Sequence, residues 1–188
     1  MGRTSRTVLA ALGALTLLSA CGAPGSSSSA TSPSPSPSPV HYAAITDACS
    51  LVTNDEANAA VGSSLMNLTA QAGVAIPGIC FYGNTTGQNI GVYIYAQTYP
   101  DATTADQVNP TQLAAAFGGQ MGVNGSAKVV NGIGDKAVEY TTTEAQSSGV
   151  ALFAFKGNAV IMIIVVPSTD GSKAEHLATL AIGRLTPG

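Results

Sequence analysis

Few side chains in this chain have the types and the spacing that catalysis needs. The two histidines are His41 and His176, and His176 lies beside Glu175 in a segment that predicts a helix. No serine stands in a Gly-x-Ser-x-Gly turn, and no histidines or cysteines have the spacing of metal ligands. Asp55 and Glu56 are adjacent, so on a helix they would point about 100° apart. The sequence therefore predicts no catalytic residue, no metal site and no cofactor.

Two groups of residues, a pair of tyrosines and a glycine-rich turn, are candidates for a ligand-binding site. Tyr93 and Tyr95 share one face of a predicted strand, and tyrosine offers both stacking area and a hydroxyl. Gly132, Gly134 and Asp135 lie in a turn, which lacks the third glycine of a dinucleotide-binding motif. In one interpretation these five residues line a site for a neutral or weakly polar ligand. In the other, the tyrosines pack under a helix and Asp135 only bonds to local backbone.

The N-terminus has the features of an exported chain. Two arginines in the first six residues precede an apolar run of eleven residues, Val8 to Leu18, which is too short to span a bilayer. Leu18-Ser19-Ala20-Cys21 follows and resembles the lipobox of bacterial lipoproteins. The resemblance implies that residues 1–20 are a lipoprotein signal peptide, and that the nucleophilic thiolate of Cys21 receives a diacylglycerol. The alternative is an ordinary secretory signal with a chance cysteine.

The remaining cysteines, Cys49 and Cys80, are left as a pair in an oxidising compartment, where a pair predicts a disulfide. The bond would close a loop of about 31 residues and raise the free energy of unfolding by at most roughly 3.5–4 kcal/mol. A zinc site is the alternative, but two cysteines without a nearby histidine are a poor ligand set.

Residues 21–41 predict a lipid-anchored, disordered stalk. Four serines and a run of Ser-Pro repeats cannot bury a core, and alternating prolines favour an extended polyproline conformation. The segment is a passive tether or, in the alternative interpretation, a site of O-glycosylation. Residues 42–188 have the length of a single globular domain.

The charge of the mature chain limits its partners. Without residues 1–20 it keeps five basic and ten acidic side chains, so the net charge is 5 − 10 = −5. Because there is no basic patch, nucleic acid is a poor candidate partner. The expected partners are the membrane, through the lipid on Cys21, and an envelope protein, glycan or lipid.

Three helices are predicted from their caps. Thr53 to Glu56 forms a capping box, and Gly62 ends that helix. Asn109 to Gln112 starts a second helix, with proline in its first turn and Gly118-Gly119 at its end. Ser172 to Glu175 predicts another capping box, for a terminal helix that Thr186-Pro187 stops. The apolar face of this helix has helical spacing: Ala174, Leu177, Ala178, Ala181 and Leu185.

Strands are predicted between these helices, at Cys80–Tyr82, Ile90–Gln97, Lys136–Thr142, Val150–Phe155 and Ala159–Val166. Gly157-Asn158 separates the last two as a hairpin turn. Ala159–Val166 is apolar on both faces, which is typical of a central strand covered on both sides. The predicted fold is α+β, with a mainly antiparallel sheet and three helices.

Cys49 to Gly62 has the pattern C-x-L-x-T-x-x-E-x5-G, Cys80 is followed by an aromatic residue, and Gly132 to Ala137 reads Gly-Ile-Gly-Asp-Lys-Ala. After a lipobox and a Ser/Pro-rich stalk, this combination resembles small actinobacterial cell-envelope lipoproteins of unknown function. Some members have an extra cysteine pair that is absent here. The resemblance covers most of residues 47–185 and implies a fold similar to the PsbP-like α/β/α sandwich.

Together these features predict a lipoprotein held on the extracytoplasmic face of the cell membrane, where it acts as a non-catalytic binding or interaction module. One alternative is a carrier of an apolar molecule between sheet and helix. The other is a hydrolase acting on envelope material, for which the sequence offers no polar residue set.

Overall fold

A computed structural model describes residues 40–73, 76–85, 90–117, 127–144 and 147–188. The predicted signal peptide, Cys21, most of the stalk and the Gly118-Gly119 helix end lie outside these ranges, so the predictions about them stay predictions. No helix within the ranges combines the length and the apolar character needed to cross a bilayer.

The strands form one antiparallel sheet. Within the described residues they are β1 (Met66–Asn67), β2 (Ile79–Gly83), β3 (Gly91–Thr98), β4 (Ala127–Val130), β5 (Lys136–Glu144), β6 (Ser147–Lys156) and β7 (Ala159–Val166). They lie in the order β1-β2-β3-β7-β6-β5-β4, and every neighbouring pair is antiparallel. All eight residues of β7 are buried, which confirms the predicted central strand. The α+β class with an antiparallel sheet is likewise confirmed.

The helices are α1 (Asn54–Val61), α2 (Leu68–Gln71), α3 (Ala102–Asp106), α4 (Pro110–Phe117) and α5 (Ser172–Gly183), with a 3-10 helix at Ala48–Ser50. The three predicted helices are α1, α4 and α5. The sequence did not predict α2 and α3, because four and five residues are too few to show an apolar period. Their N-caps, Asn67 and Asp101, each accept a backbone N–H three residues further on.

The capping box of α1 is confirmed. Thr53 Oγ1 accepts the backbone N–H of Glu56 at 3.3 Å, and the backbone N–H of Thr53 donates to Glu56 Oε2 at 2.8 Å. Gly62 ends the helix with a φ of 70°, in the left-handed region where glycine is favoured.

The capping box predicted for α5 is wrong. Ser172 is already helical and Gly171 is the N-cap, with no side-chain cap bond. Asp170 Oδ1 instead accepts the backbone N–H of Ser172 at 3.0 Å. A Cβ on Gly171 would overlap the Glu139 carboxylate of β5, so this contact favours glycine at the N-cap. The helix ends at Gly183, before the predicted Thr186-Pro187 stop.

Helices pack on both faces of the sheet. On the first, which we call the α5 face, buried residues of α1 and α5 contact alternate residues of the central strands: Ala57, Leu177, Ala178, Leu152, Ile161 and Ile163. On the second, the α3–α4 face, the other alternate residues contact the two short helices: Ala105, Leu113, Phe153, Met162 and Ile164. The finer expectation of a PsbP-like sandwich stays a prediction.

The predicted disulfide between Cys49 and Cys80 is confirmed, with 5.1 Å between the two Cα atoms. It joins the 3-10 helix to β2 beside the core of the α5 face. Tyr82, also on β2, donates its hydroxyl to the carbonyl of Val52 at 2.6 Å. The segment that leads into α1 is therefore fixed to the sheet by a covalent bond and a buried hydrogen bond.

The first described residues are fixed to the β6–β7 hairpin by Asn158, a buried residue of its turn. Asn158 Oδ1 accepts the backbone N–H of Tyr42 at 2.6 Å, and Asn158 Nδ2 donates to the carbonyls of Tyr42 and Tyr99 at 3.2 and 2.8 Å. Tyr42 also forms an antiparallel bridge with Pro187. The start and the end of the described domain therefore meet at this turn.

Candidate functional site

Tyr93 and Tyr95 lie on the α3–α4 face, where both side chains are half-buried. Phe81, directly opposite Tyr93 on β2, stacks on its ring with centroids 4.0 Å apart and planes inclined by 18°. Both rings are only partly buried. The main contacts of α3 with the sheet are to β6 and β7, and the helix that packs beside β2 is the four-residue α2. These short helices therefore leave the two rings partly exposed.

A pair of glycines sets the position of the Phe81 ring. Gly83 and Gly91 are paired across β2 and β3. A Cβ on Gly83 would lie 2.7 Å from Phe81 Cζ, and one on Gly91 would lie 2.8 Å from Phe81 Cε2. The ring thus occupies the space above both glycines, where any other residue would displace it.

A polar group continues the same face of β3. The Tyr95 hydroxyl donates to Oε1 of Gln97, whose side chain is exposed. Burial, and then hydrogen bonding with Tyr99, raise the pKa of Tyr95, and burial raises the pKa of Tyr93. Both phenols are therefore neutral and retain their protons at physiological pH. We call Phe81, Tyr93, Tyr95 and Gln97 the aromatic strip.

The strip ends in a cleft beside β3. Because β2 begins at Ile79, opposite Tyr95, the last residues of β3 extend beyond it. A cleft of about 350 Å³ lies there, between residues 44–45, residues 77–78 and β3. This volume falls within the range of small-molecule sites, about 300–1,000 Å³. The residues around the cleft are all uncharged: Ala44, Ile45, Pro77, Gly78, Tyr95, Ala96, Gln97 and Thr98.

The predicted turn lies elsewhere. Ile133, between Gly132 and Gly134, packs into the core of the α5 face, whereas the tyrosines pack on the opposite face. The Asp135 carboxylate accepts a hydrogen bond from Lys156 Nζ at 2.6 Å and another from the backbone N–H of Gly157 at 2.8 Å. Partial burial opposes ionisation of Asp135, but these two bonds outweigh it and lower its pKa.

The structure therefore does not bring the five predicted residues into one cleft. Tyr95 lines the cleft beside β3 and Tyr93 adjoins it along the strand. Gly132, Gly134 and Asp135 instead form the turn between β4 and β5, beside the end of β6. The Asp135 carboxylate bonds to the backbone of Gly157, 22 residues further along the chain, and not to the backbone of its own turn as the second interpretation expected.

Sequence reasoning missed Phe81 and Gln97 as members of this site. Gln97 continues the alternation of Tyr93 and Tyr95, so the period of the strand could have indicated it. Phe81 could not be found in this way, because its position opposite Tyr93 depends on the register between two separate segments.

Two other clefts contain charged side chains. One of about 320 Å³ lies between residues 43–47 and Arg184. The guanidinium of Arg184 is already bound there, to the Glu56 carboxylate at 2.6 and 2.7 Å and to the carbonyl of Leu51 at 2.7 Å. The other, of about 280 Å³, lies between α1 and α5 and includes Lys173 and His176.

Among the described residues, no three or more His, Cys, Asp or Glu side chains are placed to hold a metal ion. His176 is exposed on α5. Glu139 is the most buried carboxylate in the described ranges, at 4% exposure, and its nearest cation is Lys128 Nζ at 3.6 Å. Its Oε2 has no hydrogen-bond partner and lies against Gly171 at the start of α5.

Comparison with family models, with curated proteins and with solved structures found no match to this chain.

Proposed function

We propose that this chain is an envelope lipoprotein, anchored to the extracytoplasmic face of the cell membrane through Cys21, and that it acts as a non-catalytic binding module. Its binding surface is the aromatic strip together with the cleft beside β3. The ligand is an envelope molecule.

The anchoring part of the proposal is supported by the order of the N-terminal features. A basic start, a short apolar run, Leu-Ser-Ala-Cys and a Ser/Pro-rich segment follow one another as lipid attachment and tethering require. The Cys49–Cys80 disulfide agrees with an oxidising compartment outside the cytoplasm. Two or three acyl chains on one cysteine would anchor the chain stably, since a single chain binds only marginally.

The binding part is carried by one observation, the half-buried Phe81–Tyr93 stack, which lies beyond the main contacts of α3 with β6 and β7. Tyrosine is enriched at binding surfaces because it joins a large apolar ring to a polar tip.

The carrier alternative is less well supported. An apolar cargo would need an enclosed space between sheet and helix, whereas the cleft at Tyr95 opens to solvent and is bordered by polar Gln97 and Thr98. No specific observation favours a hydrolase.

Two measurements test the proposal. In a bacterial host that processes lipoproteins, the full chain should incorporate labelled palmitate and sediment with membranes, and Cys21→Ser should do neither. Normal labelling of that variant would refute the anchoring.

For binding, the lipidated protein is isolated from its own membranes in mild detergent, and the retained envelope molecules are quantified by mass spectrometry. The Tyr93→Ala variant should retain a smaller amount of these molecules than the unchanged protein. Tyr140→Phe is the matched control, because Tyr140 lies on the same face but packs edge-on against Phe153, away from the strip. Equal retention by all three proteins would refute the binding surface.

A further inference from the structure

We infer that the aromatic strip and the cleft beside β3 bind an uncharged saccharide. This inference rests on the proposed binding function and names the chemical class of its ligand. It depends on three properties of the site: its charge, its polar groups and its aromatic surface.

The lining excludes strongly charged ligands. No side chain of the strip or of the cleft is charged. Phosphate or a uronic acid would lose hydration without gaining a cationic partner, and the mature charge of −5 would repel it. A cationic ligand would find no carboxylate, and the tyrosines do not supply a negative charge because their raised pKa keeps them protonated.

The polar groups disfavour a purely apolar ligand. An acyl chain in the cleft would take the Gln97 amide and the Thr98 hydroxyl out of water without returning a hydrogen bond, which is costly. Since Gln97 Oε1 accepts from Tyr95, Gln97 Nε2 is the donor that remains for a ligand. A ligand rich in hydroxyl groups can both accept from this amide and donate to the oxygens around it.

The aromatic surface complements such a ligand. A pyranose ring has an apolar side of C–H groups as well as a rim of hydroxyls, so it packs on an aromatic ring while its hydroxyls bond to neighbouring amides. Phe81 and Tyr93 supply the aromatic surface, and Tyr95 and Gln97 supply the polar end. The cleft of about 350 Å³ is near the lower end of the range for small-molecule sites, as a short saccharide requires.

The test uses the full mature lipoprotein in detergent micelles and three sets of probes. These are neutral hexose and pentose oligosaccharides, the corresponding uronic-acid oligosaccharides, and short-chain phosphatidylglycerol below its micelle concentration. Saturation-transfer NMR detects binding. Tyrosine emission gives a second signal, because the chain has six tyrosines and no tryptophan.

We expect saturation transfer to at least one neutral oligosaccharide, strongest at the ring protons of its apolar side. Tyr93→Ala should raise the Kd about tenfold and Gln97→Ala about fivefold. Tyr140→Phe should leave the Kd unchanged. Because Gln97 is exposed, its variant keeps the test valid even where Tyr93→Ala impairs folding.

The outcomes separate this inference from the proposed function. Binding of the uronic acids or of the phospholipid in preference to every neutral sugar, sensitive to Tyr93→Ala, would overturn the saccharide class but leave the binding surface in place. Saccharide binding that is equal in Tyr93→Ala, Gln97→Ala and the unchanged protein would overturn the site itself. If no probe binds while the isolated lipoprotein still retains envelope material in a Tyr93-dependent manner, the saccharide class is wrong.

Discussion

The two faces of the sheet differ in how completely they are covered. On the α5 face, a twelve-residue helix and α1 bury nearly every side chain beneath them, and a disulfide fixes the segment that leads into α1. On the α3–α4 face, a five-residue and an eight-residue helix cover the centre and leave aromatic rings half-buried at one side. If the proposed function is correct, stability and binding depend mainly on opposite faces of the sheet, and the four predictions below test that division.

The largest difference should come from matched leucine truncations. Leu177→Ala removes a fully buried side chain of α5 and should lower the free energy of unfolding by about 3–4 kcal/mol. Leu113→Ala on α4 removes a partly buried side chain and should cost about 1–2 kcal/mol, because solvent already reaches the site. Urea unfolding followed by circular dichroism measures both. Equal losses would mean that the faces contribute alike.

Removal of the disulfide should have a similarly large effect. Cys49→Ala with Cys80→Ala frees a 31-residue loop in the unfolded chain and should cost about 3 kcal/mol. Saccharide binding by this double variant should be unchanged at temperatures where it remains folded, since the bond lies beside the other face. Thiol titration of the unfolded, unreduced protein provides the control, and two free thiols in the region from residue 40 onward would contradict the pairing.

A smaller loss is expected where α5 begins. Gly171→Ala places a methyl group onto the Glu139 carboxylate and should cost about 2 kcal/mol. In the Glu139→Ala background the same substitution should cost much less, because the contacting oxygen is gone. A double-mutant cycle from thermal unfolding measures the coupling, and additive losses would show that the two residues do not interact.

The smallest effect is expected from the α1–α5 ion pair. Two hydrogen bonds from Arg184 lower the pKa of Glu56 from 4.5 to about 2. The ion pair therefore contributes its full stabilisation of the folded state above about pH 4.5, and this stabilisation is lost as the pH falls through about 2. Glu56→Gln should cost about 1 kcal/mol at pH 7, because the pair is partly exposed.

The control for the ion pair is its pH dependence. The difference in unfolding free energy between Glu56→Gln and the unchanged protein should shrink between pH 4.5 and pH 2. A difference that stays constant over that interval would show that the substitution acts through packing rather than charge.

Local signals predicted much of the fold. The Thr53–Glu56 box, the alternation of Ile90–Gln97 and the two-sided apolar run of β7 each depend on a few consecutive residues, so they were readable from the sequence. The Cys49–Cys80 bond followed from counting cysteines. The same local reasoning failed at Ser172, where the residues of a capping box are present but Asp170 accepts the backbone N–H of Ser172 and Gly171 packs against Glu139.

The candidate site was only half predictable for the same reason. Tyr93 and Tyr95 were visible as one side of a strand, but Phe81 joins them only through a register between strands. The turn at Gly132–Asp135 was grouped with the tyrosines on chemistry alone. Ile133 packs on the other face of the sheet, and no local pattern indicates on which face a turn will pack.

The attachment of Tyr42 to Asn158 has a mechanical consequence. A pull applied to the chain before Val40 reaches the domain at the turn between β6 and β7, two inner strands of the sheet. The load must first break the bonds of Asn158 and the bridge between Tyr42 and Pro187 before it can peel the 3-10 helix or α1 from the sheet. Because Asn158 also bonds to the backbone of Tyr99, a force on the N-terminal chain is shared between the β6–β7 turn and the end of β3.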